Sequence, residues 1–281
     1  MTFDEQYLAY LDKIMTHGQW VENERTGVKC LTLINHDFTY KADESQLLTV
    51  KQSFPVGAVA ETIGYLRGYD NAEQFDKIGT KTWYANANET KAWLQNPYRK
   101  GDNDMGMVYG VVGRDFGGID LVKKVYQDLK QGVDDRGEII TFWKPDTFHR
   151  GCLRPCLHSY QFSILNGKLY LNATQRSGDA GLGIPHNAIQ TSFLLKLMAK
   201  ITGLEVGEAY HKVVNNHIYE NQIVGVKEIL SRKPLDVVTG LEISEGVSSL
   251  DDVLNDEFHS RDYINVVYPE HLGKIKFDMV V

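Results

Sequence analysis

The dipeptide Asn166-Gly167 constrains this chain more than any other pair of its residues. It separates two stretches of alternating apolar and polar residues, and Asn-Gly readily supplies the positive φ angles that a two-residue hairpin turn requires. Residues 159–165 put Tyr160, Phe162 and Ile164 on one face; residues 168–175 return with Leu169, Leu171 and Ala173. A turn centred there pairs residue i with residue 333 − i, so Cys156 is expected opposite position 177, beside Arg176. A guanidinium at that place would lower the thiol pKa and create a thiolate nucleophile.

Helical spacing marks three further segments. Residues 4–17 carry Tyr7, Leu8, Leu11, Ile14 and Met15, and Gly18 follows as a stop. Between Asp120, an N-cap, and Gly132 runs the stripe Leu121, Val122, Val125 and Leu129. Residues 188–203 are apolar nearly all round, through Phe193, Leu194, Leu197, Met198 and Ile201, which predicts a helix inside the core. Residues 28–34 and 262–268 read as further strands. With no internal repeat, low-complexity tract or Ser/Pro-rich linker, residues 1–281 are expected to form a single α+β domain, a sheet with helices packed largely on one side.

Charge and cysteine usage exclude several functions. The 281 residues carry a net charge of −7, which disfavours an extended nucleic-acid surface but allows a few Arg to hold one small anion. No run of ~18 apolar residues is present to span a membrane. The start, MTFDEQYLAYLDK, lacks the basic flank and apolar stretch of a secretory signal. Three cysteines are too few for a disulfide framework, and the protein is expected to be cytoplasmic. Cys152 and Cys156 with His149 and His158 do not make a finger-like zinc pattern, and no metal is expected. Cys30 and Cys152 read as buried, inert thiols. Polar residues gather at positions 24–27, 151–156, 175–179 and 215–221.

Those clusters carry a resemblance. Arg154-Pro155-Cys156 is followed nineteen residues later by Gln175-Arg176-Ser177-Gly178-Asp179, then by Leu182-Gly183 and Asn187, then by His217-Ile218-Tyr219. Arg25-Thr26-Gly27, the run from Ala60-Glu61-Thr62 to Arg67-Gly68, Thr82-Trp83, Val108-Tyr109-Gly110, Asp135-Arg136 and Ile275-Lys276 complete the series. In this order the whole chain resembles the thymidylate synthase family, and most of all the bacterial branch that reads T-K-T-W-x-A-N-A-N and D-D-R-G-E-I.

The resemblance implies that family's fold, with a mixed sheet and a two-fold dimer through the sheet. It also implies one-carbon transfer from methylenetetrahydrofolate to C5 of a pyrimidine nucleotide. Cys156 would add to C6 of the base. Arg25, Arg176 and Ser177 would hold the 5′-phosphate, with Arg136 donated by the other subunit; the next residue, often a second Arg in relatives, is Gly137, as in this branch. His217 and Tyr219 would hold the ribose hydroxyl. Glu61 would manage protons at O4 through water, and Tyr109 would help remove the C5 proton. Asp179 would hold the pterin of the folate and Trp83 its ring system, with Gly183, His186 and Val280 also on the folate side. Asn187 would read the O4 and N3 edge. An amide offers both an acceptor and donors, which suits uracil and so dUMP, whereas Asp would suit cytosine. Taken singly, His217, Tyr219, Trp83 and Tyr109 would be ordinary core groups; their order with Cys156 and Arg176 makes them candidates. The joint presence of Cys156, Arg176 and Asn187 likewise opposes a non-catalytic, RNA-binding homologue.

Departures from the family pattern fall on the folate side. Tyr84 follows Trp83 where relatives usually have an acid or amide, and His186 precedes Asn187 where they have Phe. The segment from Ala180 to Ile184 differs from close relatives, and the tail is Asp278-Met279-Val280-Val281. Reduction of the exocyclic methylene by hydride needs a dry, tightly stacked folate. A polar His186 and a remodelled tail lean the expectation toward hydration instead, giving 5-hydroxymethyl-dUMP, with dTMP formation as the alternative. Phage cytidylate hydroxymethylases lack the same Phe and acid.

Overall fold

The Asn166-Gly167 turn forms, with Asn166 at φ 51° and Gly167 at φ 77°, in the computed structural model, which describes residues 1–23 and 27–277. It joins two strands of a six-stranded sheet. The strands are β1 (Gln19–Asn23), β2 (Val28–Tyr40), β3 (Ile139–Thr141), β4 (Leu157–Leu165), β5 (Lys168–Asp179) and β6 (Glu205–Tyr219), in the order β1-β2-β6-β5-β4-β3. β5 and β6 are parallel and the other neighbours antiparallel, so the sheet is mixed. A separate antiparallel pair, β7 (Gly240–Ile243) and β8 (Ile264–Val267), completes the strands.

The hairpin keeps the expected register from Leu165 back to Ser159, with Tyr160 facing Ala173 and Phe162 facing Leu171. Below Ser159 it slips by one, so that Leu157 faces Gln175. His158 is the extra residue of a β-bulge. The expectation that Cys156 lies opposite position 177 is therefore corrected: the Arg176 amide donates to the Cys156 carbonyl at 2.9 Å.

β6 is not among the strands the alternation marks. Its inward positions are Gly207, Ala209, His211 and Val213, all buried, while Glu208, Tyr210, Lys212 and Val214 face out. Two small residues and a histidine hide the apolar alternation on this face, against which the helix Gly183–Thr202 packs; a Cβ at Gly207 would collide with the Leu169 carbonyl of β5. That helix begins before the expected span. Pro185 sits in its first turn, where the missing N–H costs nothing, and His186 and Asn187 precede the apolar run. Gly203 ends it in the left-handed region at φ 79°.

The helix Phe3–His17 is closed at its start by a capping box of Thr2 and Glu5; it buries Tyr7, Tyr10, Leu11 and Ile14, whereas Leu8 and Met15 are half-buried. The helix Leu121–Lys130 buries Val122, Val125 and Leu129. Its Asp120 carboxylate accepts from the Lys123 amide at 3.0 Å, a cap worth about 1 kcal/mol. The helix Pro55–Arg67 packs against Gly183–Thr202 and carries a buried Glu61 into the core. No described helix is long and apolar enough to cross a membrane.

Candidate active site

Cys156 stands at the foot of β4. Arg176, on the next strand, is clamped by two carbonyls: Nε donates to Pro155 at 2.9 Å and Nη2 to Arg154 at 3.0 Å. The same Nη2 is 3.7 Å from Cys156 Sγ, and the guanidinium carbon lies 5.8 Å from the centre of the Trp143 ring. A fixed cation beside a sulfur favours the thiolate. The other two cysteines are buried, and burial pushes the Cys152 thiol up to about 12.

Tyr109 also reaches Cys156, its hydroxyl accepting from the Cys156 amide at 2.9 Å. Its backbone has φ 33°, a left-handed value that a tyrosine adopts only under constraint. Two contacts supply that constraint. Its ring stacks on Tyr65 at 4.4 Å and 7°, and a Cβ at the adjacent Gly110 would collide with the Tyr65 carbonyl. Burial, then the neighbouring Cys156, pushes the Tyr109 phenol well above its ordinary range, so it stays protonated. Trp83 meets Tyr109 edge-on at 5.7 Å, and its buried Nε1 has no partner among the described residues.

Glu61 is the most heavily engaged side chain of the site. Its carboxylate accepts from His186 Nε2 at 3.0 Å, Gln190 Nε2 at 2.9 Å, Tyr65 at 3.3 Å and the Thr82 hydroxyl. Burial acts to raise its pKa, but His186, Thr82 and Gln190 outweigh burial and hold it below the usual carboxylate range. His186, expected on the folate side, thus turns its Nε2 to this acid. Gln190 Oε1 in turn accepts from Asn187 Nδ2 at 2.8 Å, and Asn187 Oδ1 accepts from Gln175 Nε2 at 3.0 Å. A closed ring results: Cys156, Tyr109, Tyr65, Glu61, Gln190, Asn187, Gln175, and back through Arg176 to Cys156.

Beyond the ring, Ser177 pairs with Asn215 and Asp179 with His217 across β5 and β6. His217 Nδ1 is 3.0 Å from Asn215 Oδ1, and its ring meets Tyr219 at 5.0 Å. Asp179 accepts from the Gly181 and Leu182 amides at 2.9 and 3.0 Å and from Gln222 at 2.9 Å. Gly183 follows directly and opens the long helix. Lys51, absent from the sequence reading, donates to the Gly181 carbonyl at 2.6 Å; burial, opposed by Asp179, pushes its pKa down to about 8.

Arg136 is not brought to Cys156. Its carbonyl accepts from Gln161 at 3.3 Å, five residues along β4 from Cys156, on the order of 16 Å at strand rise. Arg25 and Val280 lie outside the described residues. Among the groups that sequence reasoning missed, Thr82, Tyr65 and Gln175 stood within quoted motifs without a role, whereas Gln190 lay outside every motif. Among the described residues, no group of three or more His, Cys, Asp or Glu is arranged to hold a metal ion.

Residues 5–281 match the family model described as thymidylate synthase. Proteins named thymidylate synthase from Glaesserella parasuis serovar 5 and Vibrio vulnificus (strain YJ016) are each 53% identical over 257 residues, covering 89% of this chain and 90% of theirs. One from Shewanella loihica is 52% identical over the same span. With the match running almost from end to end, this chain belongs to the thymidylate synthase family.

Proposed function

We propose that the protein converts dUMP to dTMP, with methylenetetrahydrofolate as one-carbon donor and dihydrofolate as second product. The observation that carries this reading is the Cys156 thiol set 3.7 Å from a clamped Arg176 guanidinium, in one ring with Glu61 and Asn187. Cys156 adds to C6 of the base, which makes C5 nucleophilic, and leaves again when the product forms. Asn187 and Glu61 stabilise the charge that develops at O4. Tyr109, kept as a phenol, serves C5 proton removal by orienting an acceptor rather than as an ionised base. Arg176 and Ser177, with Arg25, hold the phosphate through charge-assisted bonds. His217 and Tyr219 hold the ribose.

The folate side suits a polar heteroaromatic: Trp83 presents an unmatched buried N–H, and the Asp179 carboxylate has acceptor capacity beyond its three bonds. When bound, methylenetetrahydrofolate supplies the one-carbon unit and the hydride that reduces it. Arg136, remote from Cys156 in its own chain, completes the phosphate site of a second subunit in a two-fold dimer. The protein works in the cytoplasm, where its three cysteines stay reduced.

Hydroxymethylation, toward which Tyr84 and His186 leaned the sequence reading, is the weaker choice. The relatives are named thymidylate synthase. A polar His186 on the folate wall would favour hydration, but its Nε2 is spent on Glu61, and Tyr84 donates to Asp76 at 3.0 Å. Incubation with dUMP and methylenetetrahydrofolate, followed by mass identification of the nucleotide, tests the choice. dTMP with an equal yield of dihydrofolate is expected; 5-hydroxymethyl-dUMP without dihydrofolate refutes it.

A further inference from the structure

The ring of contacts has a hydrogen-bonded branch that leaves the site. From Gln175 it runs back under the sheet: Gln175 Oε1 is 2.8 Å from His211 Nε2, and His211 Nδ1 is 2.9 Å from the Tyr40 hydroxyl. Tyr40, His211 and Gln175 are each no more than 1% exposed, on the helix-covered face of β2, β6 and β5. We propose that Tyr40 and His211 are positioning residues for base recognition, fixing through Gln175 which end of the Asn187 amide is the acceptor.

The two ends of a side-chain amide have the same shape, so only their partners distinguish them. Gln175 Nε2 also donates to the Ser177 carbonyl at 2.9 Å, which can only accept. Its Oε1 therefore faces His211, so His211 Nε2 must carry the hydrogen, and Nδ1 must accept from Tyr40. Burial, with a smaller contribution from His36, lowers the His211 pKa to about 3, so the ring is neutral and has one hydrogen to place. The directions then run one way: Tyr40 to His211, His211 to Gln175, Gln175 to Asn187, Asn187 to Gln190, and Gln190 to Glu61.

This polarity leaves Asn187 with one spare lone pair on Oδ1 and one spare hydrogen on Nδ2, since each atom has one bond committed. Uracil offers an N3–H and an O4 acceptor, which match. Cytosine offers a bare N3 and an amino group, which match the reversed amide. Without the Tyr40 hydroxyl, the His211 hydrogen is free to move to Nδ1. The firm donor to Gln175 Oε1 is then lost, and although the Ser177 carbonyl and the Gln190–Glu61 bond still oppose it, reversal of Gln175 and Asn187 becomes cheaper by that one bond.

The proposal rests on Asn187 reading the base, and the experiment separates the two claims. Equilibrium dissociation constants for dUMP and dCMP are measured on wild type, Tyr40→Phe, His211→Leu, His211→Gln and Asn187→Ala. Tyr40→Phe and His211→Leu are expected to lower the ratio of the dCMP to the dUMP constant by about tenfold, the effect of one buried hydrogen bond. His211→Gln, which again offers a donor and an acceptor, is expected to restore much of it. If Asn187→Ala collapses the ratio while Tyr40→Phe and His211→Leu weaken both nucleotides equally, the pair is merely structural and the proposal fails. If Asn187→Ala leaves the ratio unchanged, the base-reading assignment falls and takes the proposal with it. Should His211→Leu fail to fold, Tyr40→Phe, which removes one oxygen, decides alone.

Discussion

Replacing His186 with Phe isolates the contact that contributes most to holding Glu61 ionised. The His186 ring and Glu61 carboxylate are 3.0 Å apart with side chains only 20% and 10% exposed, so solvent screens them little. A hydrogen bond to a buried charge is worth about 1.5–3 kcal/mol. At ~1.4 kcal/mol per factor of ten, its loss multiplies the Glu61 acid strength down by roughly ten- to a hundredfold. Thr82, Gln190 and Tyr65 remain, so the carboxylate is weakened rather than abandoned. The direct assay is a carbon-13 titration of the glutamate carboxyls, with the Glu61 signal identified by its absence in Glu61→Gln. In His186→Phe that signal should titrate at distinctly higher pH. The sign of the stability change follows. A carboxyl held down in the folded state stabilises it above its unfolded pKa and loses that effect as pH falls through the folded value. The variant should therefore be less stable than wild type at pH 7, with the gap closing in acid. An unmoved Glu61 titration would show that the contact does not set its ionisation.

Other outcomes follow from the same geometry. Cys156→Ser should abolish dihydrofolate formation yet bind dUMP with near wild-type affinity by calorimetry, because a serine hydroxyl is no thiolate near neutral pH; an active variant removes Cys156 as nucleophile. Mixing inactive Arg136→Ala and Cys156→Ala proteins should restore about a quarter of the activity, one good site in each heterodimer. No recovery argues against a shared site. His36 and His211, pushed down to about 4 and about 3 chiefly by burial, are neutral when folded but take up protons near pH ~6.5 when unfolded. The urea midpoint should thus be full above that pH and fall steadily toward pH 4, a slope that His36→Asn should reduce.

Local patterns were legible in the sequence wherever one face of an element is uniformly apolar. The hairpin and the helices Phe3–His17 and Leu121–Lys130 were read nearly to their ends. β6 was not, because His211 and Gly207 occupy inward positions where the strand needs a hydrogen-bond partner and room for the Leu169 carbonyl of β5 rather than bulk. The bulge at His158 also left no trace, since nothing in the alternation of residues 159–165 reports a slip below it. At the site, Cys156, Arg176 and Asn187 could be named from their motifs. The engagement of Glu61 could not, for its partners Gln190 and His186 are 129 and 125 positions away and only the packing of two helices brings them to it.

The ring of contacts around Cys156 also bears on how the protein acquires activity. Its members come from five separate stretches of chain, and its longest link spans 129 positions. Contacts this distant in sequence form late, after much loop entropy has been lost. A partly folded chain with a finished hairpin would hold Cys156 and Arg176 near each other but lack Glu61 and Asn187. Refolding followed by covalent capture of a dUMP analogue should therefore lag behind the recovery of helical signal. Catalytic competence would then mark the last step of chain assembly.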